Sequence, residues 1–121
     1  MELFYFRQLR VYQDAKQLAV STNQALRRFP ADERFALTDQ LRRASSSVMF
    51  NIAEAFGRYY AKERIRFLDI ANGSAMETAS ELELAEAYGY ISEAERKEFD
   101  QQIVGIVKQL SSLRSSLSDK I

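Results

Sequence analysis

The chain has 121 residues, of which 46% are hydrophobic and 28% charged, with 17 Lys/Arg balanced by 17 Asp/Glu; this is one globular domain spanning 1–121, not a disordered chain. Four glycines and one proline permit few tight turns, which argues against an all-β fold. Zero cysteine excludes disulfides and thiolate chemistry, and zero histidine removes the commonest general base and transition-metal ligand.

The first helix is predicted from about 6 to 29. Tyr12, Ala15, Leu18, Ala19, Thr22, Ala25, Leu26 and Phe29 recur there at intervals of three and four, one stripe of a helical cylinder. Pro30 cannot extend that helix without losing a backbone hydrogen bond, so the chain turns. A second helix is expected over 31–58, with a kink near Phe35–Thr38, because Thr38 followed by Asp39 offers a second start. Leu37, Leu41, Ala44, Val48, Ile52 and Phe56 form its stripe, and Gly57 its stop.

The third helix, 61–88, carries Ile65, Leu68, Ala71, Ala75, Ala79, Leu82 and Ala85, and Gly89 is its expected end. Ser92 and Glu95 have the spacing of a capping box. Behind them Phe99, Ile103, Ile106, Leu110, Leu113 and Leu117 define a fourth helix, 92–118. Four amphipathic helices with short connections fold most simply as an all-α, antiparallel up-down-up-down bundle. No apolar run is long enough to span a membrane, and the N-terminal residues lack the order of a signal peptide, so a cytoplasmic protein is expected.

Catalysis has little to work with. No phosphate-binding glycine loop and no histidine-based triad or di-iron motif is present, so neither an enzyme nor a small-molecule substrate is expected, and no catalytic residue, metal or cofactor is assigned. Glu54, Glu77 and Glu81 are the carboxylates from which a metal cluster would be built. Structural pairing is the better reading: a hairpin turning at Tyr59–Tyr60 sets Arg42 opposite Glu77 and Glu54 opposite Arg64.

Charge is unevenly distributed. Residues 1–66 hold twelve basic and seven acidic side chains, and residues 67–121 hold five and ten. The halves either neutralise each other in the bundle or offer a basic face to an anionic partner. Arg58, Lys62, Arg64 and Arg66 surround Tyr59 and Tyr60, a pattern in which aromatic rings stack on bases while cations meet phosphate. Of these, Arg58, Tyr59, Lys62, Arg64 and Arg66 are the candidate site for RNA or DNA, with Arg42 and Arg43 as structural or secondary contributors. Phe50 lies two residues from both Val48 and Ile52, hence on another helix face; with Met49 and Phe4 it is the candidate surface for self-association.

Several stretches together resemble a family. Phe6-Arg7-Gln8-Leu9-Arg10-Val11-Tyr12-Gln13-Asp14-Ala15 is similar to a Phe-x-x-Leu-x-Val-Trp-Gln-x-Ala opening, and Phe29-Pro30, Glu33 to Ala44, Asn51-Ile52-Ala53-Glu54, Phe56-Gly57-Arg58 and Gly89-Tyr90-Ile91 follow in the same order. The pattern is that of the 23S rRNA intervening-sequence protein family. The family's usual Ser-Ile-Pro-Ser is Ser47-Val48-Met49-Phe50 in this chain, and the glycine after its Asn-Ile-Ala-Glu is Ala55. The resemblance implies a left-handed antiparallel four-helix bundle without enzymatic activity. It further implies assembly as a homo-oligomer, often a ring of five subunits, and an association with nucleic acid. A protein-interaction scaffold that binds no nucleic acid is the competing expectation.

Overall fold

In the computed structural model, which describes residues 2–121, the described residues form four α-helices and no strand. These are α1 (Arg10–Leu26), α2 (Leu37–Phe56), α3 (Ala61–Ala87) and α4 (Glu93–Ser118). Helices adjacent in sequence pack against each other, and α4 closes on α1. Asp14 meets Gln109 and Arg28 meets Glu95, so α1 and α4 run in opposite directions; Asp69 with Arg114 and Glu86 with Arg96 show the same for α3 and α4. The four residues from Gly57 to Tyr60 double α3 back on α2. No described helix is long and apolar enough to cross a membrane.

The apolar stripes meet in one core. Leu18, Leu41, Ile52, Leu68, Leu82 and Ile106 are fully enclosed, and alanines at 15, 71, 75 and 85 let the helix backbones approach. Val11, outside the expected stripe, is also buried.

The ends of the elements differ from expectation at three places, the first being that α1 stops at Leu26 rather than running on to Phe29. Residues 5–8 form a 3-10 turn, and Leu9 is extended (φ −72°, ψ 134°), so α1 starts at Arg10 rather than near Phe6. Likewise only Ala31–Glu33 are coiled, as a 3-10 turn, before α2 begins at Leu37; the expected kink is a full interruption. The helix stops follow the glycine reading. After α3, Gly89 takes φ +82°, while the Tyr90 and Gly89 amides donate to the carbonyls of Ala85 and Glu86, both at 2.9 Å. This is the paired arrangement that satisfies a helix's last carbonyls. Ser92 then opens α4: its Oγ accepts from the Glu95 amide at 3.1 Å, and Glu95 accepts from the Ser92 amide at 3.0 Å.

Candidate nucleic-acid interface

The chain between α2 and α3 is only four residues long, and its two tyrosines stand away from the bundle. Tyr59 is 94% and Tyr60 75% exposed. An exposed aromatic pair keeps both ring faces available to a planar partner. Among the described residues, Lys62 and Arg64 make no ion pair. Arg64 is held in place without losing its charge: its Nε donates to the Arg58 carbonyl at 2.8 Å, and its guanidinium carbon lies 5.6 Å from the centre of the Phe56 ring.

Arg58 and Arg66 are more committed. Arg58 pairs with Glu54 at 3.0 Å and sits 4.5 Å over the Phe67 ring; Arg66 lies 3.9 Å from Glu63 and 5.6 Å from the same ring. Five of the expected residues are thus brought together at one bundle end, with unequal charge to offer. Arg42 and Arg43 do not join them. They lie early on α2, roughly 20 Å from Arg58 at the helical rise, and Arg43 pairs with Asp39 one turn away at 3.0 Å.

Neither expected cross-hairpin ion pair forms. Glu54 takes Arg58 instead of Arg64, and Arg42 has no ion pair with Glu77 among the described residues. The cause is register: Ser47 meets Ser74 (Oγ–Oγ 2.9 Å), which places the facing residues further along α3 than a turn centred on Tyr59–Tyr60 requires. Asn51 completes that contact by donating to both the carbonyl and the hydroxyl of Ser47, each at 2.9 Å.

Glu77 instead faces Glu81 on its own helix. Glu81 is only 8% exposed, and its Oε1 has no hydrogen-bond partner. Burial, followed by the charge and hydrogen bond of Glu77, pushes its carboxyl up to about 7. Glu54 is engaged elsewhere, and the described residues contain no group of three or more potential metal ligands.

Of the three residues expected to meet a second copy, Phe50 projects from the bundle at 59% exposed, while Val48 and Ile52 beside it are enclosed. Met49 is half-buried and packs against the core, on the wall between α1 and α2, because one residue of helical rotation turns it inward. Phe4 is partly exposed at the N-terminal 3-10 turn, edge-on to Phe6 with the Arg7 guanidinium over it. Exposed Ile70, Met76 and Leu84 on the outer side of α3 escaped the periodicity reading, which followed only the inward stripe.

No curated protein matches this sequence. A solved structure is similar throughout: a protein of unknown function from the S23 ribosomal protein family of Bacteroides thetaiotaomicron, 26% identical, covering 86% of this chain and 97% of that one with a TM-score of 0.79. The profile described as 23S rRNA-intervening sequence protein matches residues 7–112, and the chain belongs to that family.

Proposed function

We propose that this chain is a non-enzymatic, nucleic-acid-associated protein of the cytoplasm that works as a homo-oligomer, with the α2–α3 turn as the surface that meets nucleic acid. The observation that carries this reading is the exposed Tyr59–Tyr60 pair beside two cations, Lys62 and Arg64, that no ion pair consumes. Stacking and phosphate neutralisation need these groups side by side and accessible. The family's own description points to ribosomal RNA as the first nucleic acid to try. Two free cations per chain are few, and repetition around a ring of copies multiplies their effect. Phe50, a large apolar side chain in water, supports contact between copies.

That same exposed phenylalanine favours the second reading, a protein-interaction scaffold that binds no nucleic acid. Salt separates the two: binding through phosphates falls steeply with ionic strength, and apolar docking does not. Fluorescence anisotropy with labelled ribosomal RNA fragments at several salt concentrations is the test. A steep decline supports nucleic-acid association; no binding at the lowest salt leaves the scaffold. Light scattering on wild type and Phe50→Asp, with circular dichroism as the fold check, reads the assembly. The expected result is a multiple of the monomer mass that collapses to a folded monomer in the variant.

A further inference from the structure

Of the four cations at the turn, only Lys62 and Arg64 face no carboxylate among the described residues, which is few for holding a duplex. Arg58 is committed to Glu54 and Arg66 to Glu63, and duplex affinity scales with the number of phosphates neutralised. The tyrosine faces, by contrast, are usable only by bases that are not already stacked within a helix. A second feature extends the same end of the bundle. Between α1 and α2 runs a groove of about 470 Å3, bordered by Arg7, Tyr12, Gln13, Lys16, Gln17 and Met49, with no carboxylate in its lining. Because α2 ends where α1 begins, Arg7, just ahead of α1, lies at the end of the bundle that carries Tyr59 and Tyr60.

We infer that the α1–α2 groove receives an unpaired nucleotide of a single strand that also stacks on Tyr59 and Tyr60, so that the ligand class of the proposed interface is single-stranded nucleic acid. This rests on the nucleic-acid reading above. Each part of a nucleotide has a counterpart in the lining. Arg7 and Lys16 supply positive charge for phosphate, and neither makes an ion pair among the described residues. Arg7 is held by the Phe4 ring 4.2 Å below it, which orients the guanidinium without neutralising it. Tyr12 and Met49 give an apolar wall for a base. Gln13 and Gln17 are each held by one amide N–H, to the Arg7 carbonyl at 3.2 Å and the Ser21 hydroxyl at 3.1 Å, and keep their carbonyl oxygens for a base edge. The groove volume lies within the range of small-molecule sites, about 300–1,000 Å3.

The test is an anisotropy titration of the full chain with labelled single strands of about ten nucleotides, as RNA and as DNA, and with the corresponding duplex. Wild type is compared with Lys16→Glu and with Tyr59→Ala/Tyr60→Ala, all checked for folding by circular dichroism. Single strands are expected to bind at least about tenfold more tightly than duplex. Lys16→Glu is expected to weaken them about tenfold and to flatten the slope of log K against log salt by about 0.7, the value of one lost phosphate contact on a single strand. The tyrosine variant is expected to weaken binding with the slope unchanged. If Lys16→Glu binds like wild type while the tyrosine variant is weakened, the groove is overturned and the nucleic-acid reading stands. Duplex bound as tightly as single strand overturns the strand preference alone. Failure of every probe overturns the groove together with the reading beneath it. Should Lys16→Glu disturb the fold, Lys16→Gln keeps the same readout.

Discussion

At the end of the bundle where α3 passes into α4, Arg28 grips Glu95, Arg96 bridges Glu86 and Asp100, and the Tyr90 hydroxyl donates to Glu33 at 2.7 Å. At the other end, Lys62, Arg64 and Arg7 reach no carboxylate among the described residues, and Tyr59 and Tyr60 stand in water. The residue types are the same; their use is not. Single exposed ion pairs stabilise little. The first set, however, ties together the end of α1, the 3-10 turn before α2, the end of α3 and the start of α4, which fixes how four elements converge. Its hydrogen bond to Glu33 pushes the Tyr90 hydroxyl up to about 12. The second set makes only local contacts, Arg64 with the Arg58 carbonyl and Arg7 with the Phe4 ring, and its charges remain available to a molecule outside the chain.

That contrast breaks most visibly in a crossed experiment. Tyr59→Ala combined with Lys62→Glu is expected to abolish measurable single-strand binding while leaving the melting temperature unchanged, since neither side chain contributes to packing. Arg96→Ala is expected to do the reverse, lowering the melting temperature by stranding Glu86 and Asp100 and leaving binding intact. Thermal unfolding and anisotropy on both variants check it. Loss of both properties in either one would mean that the two ends are coupled.

The next largest effect is expected from Glu81, a carboxyl buried without a partner for Oε1. Its folded value, about 7, lies above the usual 4.5, so the folded state binds the proton more tightly and stability falls as pH rises from about 4.5 through about 7. Glu81→Gln removes that penalty. The variant should gain on the order of 1–3 kcal/mol at pH 8 and little at pH 4. Melting curves at both values decide it, and a wild-type stability that is flat across this range would contradict the assignment.

How much of this was legible beforehand follows from the range of the interactions. The capping box of Ser92 and Glu95, the turn at Gly89 and the outward direction of Phe50 depend on residues within one or two helical turns, so spacing alone reveals them. The closed end depends on pairs such as Arg28 with Glu95, 67 residues apart, whose meeting requires the register of α1 against α4. Spacing does not carry register, which is also why Arg42–Glu77 and Glu54–Arg64, paired by a turn centred on Tyr59–Tyr60, do not meet in the fold. The Glu54–Arg58 pair was within reach, since the two are one turn apart, and it would have shown that the basic turn is less charged than its composition. The groove between α1 and α2 is a property of two packed helices and has no sequence signature.

A smaller effect separates the structural roles inside the closed end. Glu95 serves both Arg28 and the Ser92 amide. The Arg28 hydrogen bonds, with that amide, hold its carboxyl down to about 2. Its folded value lies below the usual 4.5, so its contribution is present above pH 4.5 and is lost as pH falls through about 2. Ser92→Ala is expected to cost about 1 kcal/mol, the usual loss of a helix cap, with the acid sensitivity retained. Glu95→Gln is expected to flatten the acid side of the stability profile. Denaturant midpoints between pH 2 and 6 distinguish a cap that works through Ser92 from one that works through the ion pair.

The smallest effect bears on what lies between the two ends. Gly73 is in the middle of α3 on its exposed side, near Ile70 and Met76, and a Cβ added to it would meet nothing within 4 Å. Glycine inside a helix is less favourable than alanine by about 1 kcal/mol, and no contact within this chain offsets that loss. Gly73→Ala is therefore expected to stabilise the isolated fold by up to about 1 kcal/mol. Gly105 in α4 is equally unobstructed and serves as the comparison. If copies of the chain pack along the outer side of α3, the added methyl group lies in their contact: Gly73→Ala should then raise the melting temperature of the dilute protein yet lower its mass by light scattering, whereas Gly105→Ala raises the melting temperature alone. Equal behaviour of the two variants would place the contact between copies elsewhere, with the exposed Phe50 on α2 as its remaining anchor.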